Sequence, residues 1–97
     1  MIEYSQKDIE YAKILKCRFI LFELKNQCQS NVYVSYEVGL INDVFHWNIL
    51  RRSFEDLLFH YDNGGKINED FLLSLYGIKI AKNIKIINRL IKLIKIV

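Results

Sequence analysis

A chain of 97 residues with 52% hydrophobic content has the length of one domain, 1–97, and carries more apolar side chains than so small a core can take in. The net charge of +3 is segregated: residues 1–76 hold 8 Lys/Arg against 11 Asp/Glu, while residues 77–97 hold six basic side chains and no acidic one. No apolar run approaches the ~20 residues of a membrane span, and an opening with Glu3, Asp8 and Glu10 does not read as a secretory leader, so a cytoplasmic protein is expected.

The first predicted helix covers 6–29. Ser5 followed three residues later by Asp8 is close to a capping box. Ile9, Ala12, Leu15, Phe19, Phe22 and then Asn26 keep helical spacing, with Leu24 and Cys28 alongside. Cys17 and Cys28 on one helix stand about 16 Å apart along its axis. A disulfide needs Cα atoms within roughly 7 Å, so both are expected as free thiols in a reducing cytosol.

Asn31-Val32-Tyr33-Val34 reads as a connector with β-like preference. Ser35 is placed to cap the second predicted helix, 35–62. Along it Leu40, Val44, Trp47, Arg51, Phe54, Leu58 and Tyr61 recur at heptad-like spacing, and Val38, Ile41 and Phe45 form another apolar strip. A helix that is apolar on two sides sits in the middle of something. Leu40, Val44, Trp47, Arg51, Phe54 and Leu58 are therefore the expected oligomer seam. Arg51 within that stripe needs an acid, and Glu55 one turn on is the nearest.

Asp62-Asn63-Gly64-Gly65 stops this helix. Asn68 is placed to cap the third, 68–97, with Glu69 and Asp70 favourable in its first turn and Gly77 as the point where it can bend. Ile80, Ile84, Ile87, Ile91 and Ile94 make one stripe. Lys82, Lys85, Arg89 and Lys92 make the opposite one, expected in solvent and available to a negatively charged partner.

Little here carries chemistry. If Gly65 took the sixth position of a twelve-residue calcium loop, Phe71 would fall at the twelfth, where a bidentate Glu is required. His46 and His60 lie near Asp43 and Asp56, but too far apart along one helix for a single ion. No Gly-rich phosphate loop, Cys/His cluster or nucleophile motif is present. No catalytic residue, metal or cofactor is therefore expected.

The expectation is all-α: an antiparallel bundle of three long helices, completed by oligomerisation. Ile, Lys, Asn, Tyr and Phe make up 45 of 97 residues. These are amino acids with AT-rich codons, which fits a phage, a virus or a low-GC bacterium. The expected function is a non-enzymatic interaction module, a homo-oligomeric inhibitor or regulator of a partner protein. The basic stripe makes an acidic partner protein the second expectation and nucleic acid the alternative.

Overall fold

The computed structural model describes residues 3–74 and 84–95. They form four helices: α1 Gln6–Glu37, α2 Ile41–Asp62, α3 Glu69–Ser74 and α4 Ile84–Ile94. Helix α1 starts as its sequence directs. The Asp8 N–H donates to Ser5 Oγ and the Ser5 N–H donates to the Asp8 carboxylate, each at 3.2 Å, so two otherwise unpaired donors are satisfied reciprocally.

Helix α1 then runs on past residue 29 to a length of 32 residues, about 48 Å. The expected connector at Asn31–Val34 is helical, and Ser35 is buried inside α1 instead of capping α2. The reason is tertiary. Asn31 and Ser35 continue the buried stripe Cys17, Leu21, Leu24 and Cys28 at 4-3-4-3-4 spacing. A long helix packed along one face outweighs the local β preference of Val and Tyr.

The turn comes instead at Val38–Leu40. Gly39 adopts φ 79° there, the left-handed conformation that ends a helix at little cost only with glycine. Helix α2 returns antiparallel, and Arg18 Nε of α1 meets Asp62 at its far end at 2.6 Å. Between them lie Cys17, Ile20, Leu21, Leu24 and Cys28 from α1 and Trp47, Leu50, Phe54 and Leu57 from α2. Small side chains on one helix leave room for large ones on the other.

The C-terminal third departs from the expected long helix. Asn68 does cap α3, its Oδ1 accepting from the Phe71 N–H at 2.9 Å. A single helix from 68 to 97 would set Asn68 and Lys95 about 40 Å apart. The Asn68 N–H instead donates to the Ile94 carbonyl at 2.8 Å, and Ile67 pairs with Lys95 in an isolated antiparallel bridge. The chain has therefore reversed by the time α4 begins. Gly77, the expected bend, lies outside the described residues.

The architecture is thus a long α1–α2 hairpin with two short helices on its open end. Helix α3 lies against α1, and α4 lies against α2 and α3. Ile67, Leu72, Ile87 and Ile94 join the hairpin's core. The molecule measures 54 × 30 × 18 Å, so its thinnest dimension is about two helix diameters. A slab of that thickness leaves each long helix with one face uncovered. No helix among the described residues is long and apolar enough to cross a membrane.

Candidate interaction surfaces

The residues expected at an oligomer seam divide into two groups. Trp47 is 3% exposed and Phe54 0%. Both lie in the core of a single chain, so neither is at the surface to meet a second copy. Val44 and Leu58 are half-buried, and Leu40 at the turn is exposed. Relative to the expected stripe, α2 is rotated so that Leu50 and Leu57 point inward and Arg51 stands at the border.

Arg51 is satisfied within its own helix. Its Nη1 donates to Glu55 Oε1 at 2.5 Å, while Nε and Nη2 donate to Asn48 Oδ1 at 3.1 and 2.9 Å. Glu55 was the expected acid. Asn48, one turn earlier, is an equal partner that the i−3 spacing could have revealed. With both in place, the guanidinium has its hydrogen-bond partners without an acid from another chain.

At the open end of the hairpin, polar contacts tie α3 to both long helices. Tyr61 Oη donates to Glu69 Oε2 at 3.1 Å. Outside it, Lys13 Nζ meets Asp70 at 2.8 Å. Burial, countered in part by a hydrogen bond with Tyr61, raises the Cys17 thiol. Burial first, then the Cys17 and Glu69 neighbours, raises the Tyr61 phenol. Burial alone pushes the Cys28 thiol up to about 12. Both cysteines are free and buried, and thiols held in the protonated form are poor nucleophiles.

A cleft of about 280 Å³ opens between α2 and α4, lined by Ser53, Asp56, Leu57, His60, Lys66, Ile91 and Lys95. The Ser53 hydroxyl donates to the Ile49 carbonyl at 3.1 Å, so its proton is committed to the helix backbone. His46 and His60 stand about 21 Å apart along α2. Among the described residues, no three His, Cys, Asp or Glu side chains converge as a metal site would require.

On α4, Lys85, Arg89 and Lys92 are exposed, while Ile87 and Ile94 are buried and Ile84 and Ile91 half-buried. Ile80 and Lys82 lie outside the described residues. Much of the described surface is apolar. Eighteen large hydrophobic side chains among the described residues are exposed. They gather at the hairpin turn, where Val38, Leu40, Ile41 and Phe45 lie, and along the outer side of α1. The regular stripe Ile9, Leu15, Phe19 and Phe22 turns outward, with Phe19 54% and Phe22 46% exposed.

No family model, curated protein or solved structure matches this chain.

Proposed function

We propose that this protein is a non-enzymatic helical interaction module that self-associates and acts by covering the surface of a partner protein. It would serve as a small inhibitor or regulator of phage, viral or low-GC bacterial type. The supporting observation is the run of exposed aromatic and aliphatic side chains along α1 and around the hairpin turn. Apolar surface of this extent marks places where another protein sits. Sedimentation at high micromolar concentration tests self-association, and a soluble monomer there would refute it. Capture from the native host, followed by reconstitution with the purified partner, tests the regulatory role.

Nucleic-acid binding through α4 is the second reading, favoured by three exposed cations on one helix whose other side is buried. It predicts an affinity falling with salt at a log–log slope of about −3 for three phosphate contacts. An acidic protein docking on the same stripe would show a shallower dependence.

A further inference from the structure

Helix α1 carries two heptad stripes on opposite sides. The inner one, Cys17, Leu21, Leu24, Cys28, Asn31 and Ser35, is buried. The outer one begins with Ala12, Leu15, Phe19, Phe22 and Asn26 at 3-4-3-4 spacing, and Gln29 and Tyr33 continue the pattern. At 100° per residue the two stripes point about 180° apart. The outer stripe holds no charged residue from Ala12 to Tyr33.

We propose that this outer face of α1 is a homodimer interface in which two copies of α1 pack against each other. The inference rests on the self-association reading and names its surface. Spacing of this kind is the seam of helix on helix, and a copy of α1 supplies a matching seam. The half-exposed aromatics and Leu15 offer about 400 Å² of apolar surface per chain. A stable interface covers about 800 Å² per partner, a little over half of it apolar, so the face is of the right size.

Helix α2 ends beside Arg18, which holds Asp62 at 2.6 Å, so the first turns of α1 run beyond it and lengthen the face offered to a second copy.

Sedimentation equilibrium on the full chain tests the proposal with three variants. Phe19→Glu and, separately, Leu15→Lys should keep the helical circular dichroism and weaken the dimer at least about 30-fold. Phe59→Glu, at a still more exposed apolar position on α2, should leave the dimer unchanged. A wild-type monomer at high micromolar concentration would end both the self-association reading and this interface. A wild-type dimer indifferent to Phe19→Glu and Leu15→Lys would sink the α1 interface and leave self-association standing.

Discussion

The backbone N–H of Asn68 donates to the carbonyl of Ile94 at 2.8 Å, joining the residue that caps α3 to the last residue of α4. One hydrogen bond adds only about 1 kcal/mol. Its value is topological, because it fixes the end of α4 against the segment that leaves α2. The same region buries Ile67 and Ile94.

The docking of α4 should therefore depend on its isoleucines. Ile94→Ala removes a fully buried side chain and should cost about 2–4 kcal/mol. Ile86→Ala, on the exposed side of α4, should cost less than about 1 kcal/mol. Urea unfolding of the two variants checks the difference. Equal losses would contradict the placement of α4.

Trp47→Ala should destabilise the chain by about 3–5 kcal/mol. Because Trp47 lies within the core of one chain, the loss in unfolding free energy should be the same at every protein concentration. A loss that vanishes on dilution would place Trp47 at a contact between chains.

Asn31 is a site where a substitution should stabilise. It is 3% exposed, and its Nδ2 finds no hydrogen-bond partner among the described residues. An unsatisfied buried donor costs about 1–3 kcal/mol. Asn31→Leu, branched in the same way and without the polar atoms, should raise the unfolding free energy in urea by about 1 kcal/mol. A lower midpoint would mean that the amide is satisfied in solution.

Base should destabilise the fold. Cys28 keeps its proton to about 12 in the folded chain, whereas an ordinary thiol titrates near 9. Above pH 9 the unfolded chain binds fewer protons than the folded one. Stability present in full below that pH then falls as pH rises toward 12. Tyr61, also raised by burial, acts in the same direction. Urea midpoints should drop between about pH 9 and about pH 12, and Cys28→Ala should make the drop smaller.

Replacing Lys85, Arg89 and Lys92 together with Gln should change stability by no more than about 0.5 kcal/mol, since all three are exposed. Any binding of nucleic acid should disappear in the same variant. Binding that persists with an unchanged salt slope would move the contact elsewhere.

Some of this protein was legible in the sequence alone. Ser5 with Asp8, Gly64 and Asn68 mark helix boundaries because each satisfies or relaxes particular backbone groups, a matter of local chemistry. The opposed cations and isoleucines of α4 followed from helical geometry, and Glu55 as a partner for Arg51 from i,i+4 spacing. Other features needed the third dimension. Both stripes of α1 have heptad spacing, and the more hydrophobic-looking one, with Phe19 and Phe22, turned outward. The inner stripe is the one whose small Cys17, Cys28 and Ser35 leave room for the bulk of Trp47, Leu50 and Phe54 across the hairpin. Which side of a helix is buried depends on that complementarity of volumes, which periodicity does not contain. The same packing carried the helix through Asn31–Val34 against local preference. Contacts between Ile67 and Lys95, far apart in sequence, folded the C-terminal stretch back where periodicity described one long helix able to bend at Gly77.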